Sequence, residues 1–234
     1  MNIIVTGASR GIGNSLVREY AKNPGDSIIA ISRNPVALND LRSYCISHHP
    51  GSRVFPVAYD LSNIASDDRL IPEVVNHFEK TDVLVNNAGL LIHKPFAEFT
   101  PEDIDRLLDI NFRASVILIQ KLLPLMNQGA HIVNIGSMGG VQGSVKFPGM
   151  SVYSASKGAL AILTECLAAE LEPAGISVNM LALGAVDTEM LRMAFPGYKA
   201  PVTPDEMAAF IASFSRTGHH FFNGKVLQLS LSTP

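Results

Sequence analysis

The side chains of this sequence best suited to move a proton are Tyr153 and Lys157, four residues apart. They lie near the start of an apolar, Ala-rich stretch that predicts a long helix over 153–171. Residues at i and i+4 share a helix face, so the phenol and the ammonium are expected to project from the same side. An ordinary Tyr has a pKa of about 10, and a neighbouring cation favours the phenolate and lowers that pKa. The pair therefore suggests a proton donor for neutral pH, although the same spacing occurs by chance in many helices.

A glycine-rich turn near the start of the chain indicates a dinucleotide site. A strand over 2–6 runs into Gly7-Ala-Ser-Arg-Gly11-Ile-Gly13, and a helix is predicted over 14–22. In this arrangement backbone N–H groups at the helix N-terminus can meet a pyrophosphate, because glycines remove the side chains that would block it. The spacing is G-x-x-x-G-x-G rather than G-x-G-x-x-G. The alternative is an ordinary tight turn.

The residue after the second predicted strand favours NADP(H) over NAD(H). An NAD-binding domain places Asp or Glu there for the ribose hydroxyls, but this chain has Ser32-Arg33. Arg33, together with Arg10 inside the glycine turn, could bind a 2′-phosphate, since guanidinium groups match phosphate oxygens. The alternative is that one or both arginines are simply solvated.

Strands alternate with helices along the whole sequence. Strands are predicted over 2–6, 27–31, 53–58, 82–85, 130–135, 176–180 and 225–229, and helices over 14–22, 35–47, 66–78, 100–126, 153–171 and 204–215. Thr100 and Pro101 have the form of a helix start. The alternation predicts an α/β fold, a single domain over 1–234 with one doubly wound parallel sheet and helices on both faces.

Small polar residues follow several of these strands, where open α/β sheets bind their ligands. Asp60-Leu61 follows the third strand, Asn86-Asn87-Ala88-Gly89 the fourth, and Ser137 the fifth. Asp60 could accept a hydrogen bond from an adenine amino group or could cap a helix. The asparagines are also expected to brace the central sheet.

Net charge, cysteine content and hydropathy argue against several classes of function. A net charge of −3 and a pI near 6.1 give no basic stripe, which argues against nucleic acid as a partner. Two cysteines without metal-type spacing suit a reducing cytoplasm. No signal peptide is expected, and the apolar run 114–126 is too short to span a bilayer. The pairs His48-His49 and His219-His220 are interpreted as surface histidines, so no metal site is predicted.

Four separated signals resemble the short-chain dehydrogenase/reductase family in their order and spacing. They are Thr6-Gly7-x-x-x-Gly11-Ile-Gly13, Asn86-Asn87-Ala88-Gly89, Ser137, and Tyr153-x-x-x-Lys157. The likeness extends over almost the whole chain. It implies a Rossmann fold with strand order 3-2-1-4-5-6-7, a nicotinamide cofactor, hydride transfer between its C4 and a carbonyl or carbinol carbon, and a homodimer or homotetramer.

The resemblance also implies a role for each matching residue. Tyr153 is the general acid in reduction and the base in oxidation, and Ser137 hydrogen-bonds the reacting oxygen. Lys157 lowers the Tyr153 pKa and binds the nicotinamide ribose, while Asn111 holds a water in the proton relay. The expected cofactor contacts are Gly7, Ser9, Arg10, Gly11, Ile12, Gly13, Arg33, Asp60, Leu61, Asn87, Ala88, Gly89, Tyr153, Lys157, Gly184, Val186 and Thr188.

The chain departs from the family pattern around the expected substrate pocket. Sixteen positions separate Ser137 from Tyr153, a few more than usual, so residues 141–150 carry a small insertion that should remodel one pocket wall. Leu183-Gly184 stands where the family tends to have Pro-Gly, and the substrate lid around 188–204 looks short. Six apolar side chains are expected to line the pocket: Phe147, Met150, Leu183, Met190, Met193 and Phe195.

These observations predict an NADP(H)-dependent oxidoreductase that interconverts a carbonyl compound and a secondary alcohol. The apolar lining suggests a medium-sized, partly apolar ketone, with a 3-oxoacyl thioester as a special case and a sugar or pterin as open alternatives. The rival hypothesis is a catalytically idle NADP(H)-binding sensor or scaffold. Such a protein has no need of Ser137, Tyr153 and Lys157 together.

Overall fold

Seven parallel strands form one sheet in the computed structural model, which describes residues 1–231. In chain order they are β1 (Asn2–Thr6), β2 (Ser27–Ser32), β3 (Arg53–Ala58), β4 (Thr81–Asn86), β5 (Met126–Ser137), β6 (Ser177–Leu183) and β7 (Val226–Leu229). Their order in the sheet is β3-β2-β1-β4-β5-β6-β7, which confirms the predicted topology. Strands β1 to β3 are added toward one edge of the sheet and strands β4 to β7 toward the other. The carboxyl ends of β1 and β4, where this order reverses, therefore form a crevice.

Helices cover both faces of the sheet, as predicted. They are α1 (Gly11–Ala21), α2 (Pro35–His48), α3 (Leu70–His77), α4 (Pro101–Leu108), α5 (Ala114–Leu122), α6 (Ser151–Leu171), α7 (Glu189–Ala194) and α8 (Pro204–Thr217). One apolar core lies between the sheet and α1, α2 and α8. The other lies between the sheet and α3, α5 and α6. Apolar residues are consecutive along the central strands because both strand faces are buried.

The prediction of one continuous helix over 100–126 is wrong. The capping box at Thr100 is present, with its Oγ1 accepting from the Asp103 N–H at 3.3 Å. Regular helix then stops at Leu108, and Asp109–Arg113 forms a π turn in which the Ala114 N–H bonds to the Asp109 carbonyl. The helix resumes as α5 and ends at Leu122, just before Pro124. Met126, the predicted helix end, instead begins β5.

A polar ladder joins the sheet to the helix that carries Tyr153. Asn86 at the end of β4 donates from Nδ2 to Asn134 Oδ1 on β5 at 2.9 Å. Asn134 in turn donates to Thr164 Oγ1 on α6 at 2.9 Å, and Thr164 donates to the Leu160 carbonyl at 2.8 Å. All of these polar side chains are buried and satisfied, so they fix α6 against the strand ends. The predicted bracing by Asn86 is confirmed.

Toward the amino ends of β5 and β6 lies a fully buried histidine, His131. Its Nδ1 donates to the Ser215 carbonyl at 3.0 Å, and its Nε2 accepts from Asn179 Nδ2 at 3.0 Å. Burial lowers the pKa of His131 to about 4, so the ring is neutral at pH 7. The ring of His219, expected at the surface, lies 5.4 Å from that of His131 and is partly buried.

We expect His131 to make the protein sensitive to acid. Its pKa in the unfolded chain is about 6.5, so between about pH 6.5 and pH 4 the unfolded state binds a proton that the folded state does not. The free energy of unfolding should therefore fall by about 2 kcal/mol from pH 7 to pH 5, measured by urea denaturation. His131→Gln should flatten this dependence, whereas His49→Gln should leave it intact. An equal pH dependence in both variants would contradict the assignment.

Candidate active site

The glycine turn packs tightly against the residues that follow β4. Gly7 has φ +68°, and a Cβ built on it would lie 2.8 Å from the Ala88 Cα. A Cβ on Gly13 would lie 2.5 Å from Asn87 Nδ2. Asn87 also donates from Nδ2 to the Thr6 carbonyl at 2.8 Å, and Thr6 Oγ1 accepts the Asn87 and Ala88 N–H groups at 3.0 and 2.9 Å. Any side chain at these glycines would push the turn away from β4.

The turn leaves the N-terminus of α1 open. Arg10 occupies the cap position, but its side chain does not cap the helix, and no acidic residue lies in the first turn. The N–H groups of Gly11, Ile12 and Gly13 are therefore directed toward the crevice with the positive end of the helix dipole. Ser9 is partly exposed beside them. A cradle of backbone donors without side chains fits the pyrophosphate of a dinucleotide.

Gly89 links this cradle to the interior of the site. A Cβ built on it would lie 3.4 Å from Asn111 Oδ1 and 3.5 Å from Lys157 Nζ. The three residues from Asn87 to Gly89 thus reach from the glycine turn to the lysine. The structure brings these sequence-predicted residues together in one place.

Asn111 lies in the π turn and is fully buried. Its Oδ1 accepts the Leu90 N–H at 2.7 Å, and its Nδ2 donates to the Leu90 carbonyl at 2.8 Å and to Ser156 Oγ at 2.9 Å. Ser156 donates to the Tyr153 carbonyl at 2.7 Å. The side chain of Asn111 therefore joins the loop after β4 to the first turns of α6, a role that its position in the sequence did not suggest.

Tyr153 is buried on the first turn of α6, close to Ser137 at the end of β5. Burial raises the pKa of Tyr153, and the Ser137 hydroxyl opposes that rise by favouring the phenolate. Ser137 Oγ also accepts the Gly139 N–H at 3.2 Å, which holds the hydroxyl in place. Lys157 does not contribute to this shift, and the net direction is upward, opposite to the predicted lowering of the Tyr153 pKa. The phenol is protonated at neutral pH.

Lys157 is a buried cation, 4% exposed. Its Nζ donates to the Ile135 carbonyl at 2.9 Å, and burial lowers its pKa to about 8. An ammonium ion has three donors, and this contact occupies one of them. Lys157 is thus a desolvated ammonium facing Gly89 in the crevice.

Three further predicted contacts lie on the segments that follow β2 and β3. Among residues 1–231, Arg33 makes no ion pair or hydrogen bond and is exposed at the end of β2. Asp60 caps a 3₁₀ turn, with Oδ1 accepting the Ser62 N–H at 3.0 Å, so the capping alternative is confirmed. Leu61 is buried in the core beneath that turn.

The segment after β6 returns to the glycine turn. Gly184 lies against Ser230, and Val186 pairs with Val202, which ties the two ends of the intervening loop. Thr188 caps α7, and its Cγ2 would lie 3.5 Å from a Cβ built on Gly11. The predicted lid therefore starts beside the pyrophosphate cradle.

Comparison with known proteins agrees with this geometry. The family model described as short chain dehydrogenase matches residues 1–199. The chain belongs to the short-chain dehydrogenase/reductase family. It is therefore an oxidoreductase, with a fold that binds a nicotinamide cofactor.

Relatives of this short-chain dehydrogenase/reductase cover most of its length. A short-chain type dehydrogenase/reductase of Sinorhizobium fredii is 35% identical over 196 residues, which are 82% of this chain and 72% of the relative. A short-chain dehydrogenase from Burkholderia cenocepacia in complex with NADP has a TM-score of 0.83 at 27% identity. A 3-ketoacyl-(acyl-carrier-protein) reductase from Brucella melitensis complexed with NADH has the same TM-score and identity. Each alignment with these two structures covers 97% of this chain and 95% of the other.

Three of the six apolar residues expected to line the pocket of this short-chain dehydrogenase/reductase lie around Tyr153. Met150 is buried against it, and Phe147 and Phe195 pack on the same small cluster. Leu183 belongs instead to the core beneath α1 and α8, because alternate strand positions face opposite sides of the sheet. Met193 is 72% exposed. Met190 is half-buried on α7.

Two further properties of the short-chain dehydrogenase/reductase chain concern metals and membranes. Within residues 1–231, no three His, Cys, Asp or Glu side chains are grouped so that they could hold a metal ion. No helix in the same range combines the length and apolarity needed to cross a membrane.

Proposed function

We propose that this protein interconverts a medium-sized, partly apolar ketone and its secondary alcohol, with NADP(H) as the cofactor. The observation that carries the proposal is the convergence of Ser137, a protonated Tyr153 and a buried Lys157 at the end of the glycine cradle. The cofactor supplies, when bound, a hydride at its nicotinamide C4.

Tyr153 acts as the general acid in this proposal. Its phenol donates a proton to the substrate carbonyl oxygen, and Ser137 donates a hydrogen bond to the same oxygen as negative charge develops there. Ser137 is held for this task by the Gly139 N–H, and Tyr153 by the packing of α6. The Lys157 ammonium would bind the ribose hydroxyls of the cofactor with its other donors and so position the nicotinamide beside Tyr153.

Asn111 acts as a positioning residue. It orients Leu90 and Ser156, and through Ser156 the backbone of Tyr153. Asn111 Nδ2 already donates to these two acceptors, so the proposed relay water would bind other atoms near Asn111. The buried surroundings exclude other water from the phenol.

Two arginines support the preference for NADP(H). Arg33 is exposed at the end of β2, and Arg10 in the glycine turn pairs with Glu189 on α7 at 2.7 Å. Both partners of that ion pair are about 60% exposed, so a bound phosphate can replace Glu189 at small cost. Arg33 and Arg10 would bind the 2′-phosphate, and the cradle over 7–13 would bind the pyrophosphate.

The variant Arg33→Ala should bind NADPH about 10–30-fold more weakly, since charge-assisted hydrogen bonds to phosphate contribute about 1.5–2 kcal/mol. NADH affinity should change less than about twofold, because NADH has no 2′-phosphate to lose a contact. Fluorescence titration measures both constants. Arg42→Ala, at an exposed position on α2, serves as the matched control. A wild-type preference for NADH would contradict the NADP(H) assignment.

The decisive test of the function is turnover. NADPH absorbance is followed with a panel of aliphatic ketones, aryl ketones and 3-oxoacyl thioesters, and the alcohol product is identified by chromatography. Oxidation of NADPH in step with alcohol formation supports the proposal. Tight NADPH binding without turnover of any carbonyl compound supports the rival hypothesis, an idle sensor or scaffold.

The proposal extends to the domain, the oligomeric state and the cellular compartment of the protein. The chain forms one cofactor-binding domain, predicted over 1–234 with residues 232–234 outside the described part, and a short substrate lid around 188–204 includes α7. The protein forms a homodimer or homotetramer through its helical faces, where Ile162 on α6 is 61% exposed. Cys45 and Cys166 are both free, which suits the cytoplasm.

A further inference from the structure

A histidine outside the predicted site joins three segments around Tyr153. His93 lies in the loop between β4 and α4, an exposed position that no motif singles out. Its ring contacts the inserted loop over 141–150 on one side and the lid on the other. His93, Phe147 and Phe195 are referred to below as the aromatic clasp.

Contact with the inserted loop is both polar and close. His93 Nε2 donates to the Pro148 carbonyl at 3.1 Å, and the neighbouring Lys94 N–H donates to the Gly149 carbonyl at 3.2 Å. Gly149 has φ +81°, and a Cβ built on it would lie 2.8 Å from His93 Nε2. The imidazole therefore lies directly against the glycine backbone, a contact that any larger residue at 149 would prevent.

Contact with the lid is made through aromatic rings. The ring centroids of His93 and Phe195 are 5.3 Å apart with an interplanar angle of 60°, and those of Phe147 and Phe195 are 5.9 Å apart at 70°. Both geometries are favourable for aromatic pairs. Phe195 directly follows α7, so the clasp connects the lid to the inserted loop.

The inserted loop also has hydrogen bonds of its own. Ser144 Oγ donates to the Met138 carbonyl at 2.5 Å, and Lys146 Nζ donates to the Val141 carbonyl and to Ser144 Oγ, both at 2.6 Å. Phe147 and Met150, which follow these residues in the chain, pack on the cluster that contains Tyr153. The clasp thus borders the space next to the phenol.

We propose that His93 is a specificity-determining and positioning residue, which holds the aromatic clasp as a wall that favours ketones with a flat aromatic substituent. This inference rests on the proposed function. Edge and face contacts with Phe147 and Phe195 favour an aryl group, whereas a short alkyl group leaves this wall unused. His93 acts through these rings and through the backbone of the inserted loop rather than on the reacting oxygen.

Steady-state kinetics with saturating NADPH test the selectivity. In His93→Ala, KM for acetophenone should rise about tenfold, whereas KM for butan-2-one should stay within about twofold of wild type. His93→Phe, which keeps a ring against Phe195, should restore most of the acetophenone KM. Equal changes in KM for both ketones, or no change for either, would overturn the selectivity.

Hydrogen exchange of the NADPH-bound protein tests the clasp without any turnover. Peptides over 141–150 and 189–199 should exchange about tenfold faster in His93→Ala. His93→Gln, which keeps a side-chain N–H donor, should slow exchange over 141–150 again. Unchanged exchange in His93→Ala overturns the clasp even if the wild-type enzyme reduces both ketones. Conversely, if no ketone is reduced, the proposed function fails while the exchange data still decide whether the clasp exists.

Discussion

Tyr153→Phe is expected to lower kcat for ketone reduction by about a thousandfold, within the range for loss of a general acid. The change removes one oxygen atom and its proton and leaves the ring in its buried cluster. Because the phenol would act on the substrate rather than on the nucleotide, the dissociation constant for NADPH should stay within about twofold. Initial rates of NADPH oxidation and a fluorescence titration measure the two quantities.

The matched control is Tyr44→Phe. Tyr44 also has a hydrogen-bonded hydroxyl, which accepts from Arg18 at 2.8 Å, but it lies on α2 away from the crevice. This variant should keep the wild-type kcat. Equal rates of NADPH oxidation by Tyr153→Phe and wild type would remove Tyr153 from the mechanism.

Lys157→Met is expected to lower kcat about a hundredfold while making the fold more stable. The folded-state pKa of about 8 lies below the ordinary value of 10.5, so stability rises with pH between these values and is lowest below about pH 8. At neutral pH the buried ammonium therefore costs about 3 kcal/mol relative to a neutral group. Methionine removes that cost but loses the hydrogen bond to Ile135, worth about 1 kcal/mol.

Differential scanning calorimetry at about pH 7 should show a higher Tm for Lys157→Met, by about 4–8 °C. Lys22→Met, at a surface position paired with Glu19, should change neither Tm nor kcat appreciably. A Tm below wild type for Lys157→Met would show that the ammonium stabilises the fold. That outcome would contradict the desolvation argument while leaving the effect on kcat as a separate question.

The sheet could be predicted from the sequence because its signals are local. β-branched runs mark the strands, and glycines mark the ends of several of them, as at Gly7 and Gly89. The capping box of Thr100 is equally local, since donor and acceptor are three residues apart. The resemblance to the family then implied the strand order, which the sheet confirms.

Features that depend on long-range packing were not predictable. The π turn interrupts a stretch whose apolar pattern is compatible with a continuous helix, so nothing at Asn111 signalled it. The pKa of Tyr153 follows from how deeply α6 is buried, which the i, i+4 spacing of Tyr153 and Lys157 does not encode. His93 gains its contacts from residues more than 50 positions away, and its own neighbours carry no signal of them.

The π turn over Asp109–Arg113 constrains the number of residues between α4 and α5 as well as the residue at position 111. Compared with a continuous α-helix, it accommodates one additional residue between α4 and α5. Deleting one of these five residues would close the wide turn into an ordinary α turn, and Asn111 would then occupy a different place on the helix surface. The three hydrogen bonds of Asn111 to Leu90 and Ser156 could not all survive that change. Insertions and deletions are ordinarily tolerated in exposed loops. At this position, by contrast, the number of residues in the helix must be kept, because Asn111 joins the loop after β4 to α6.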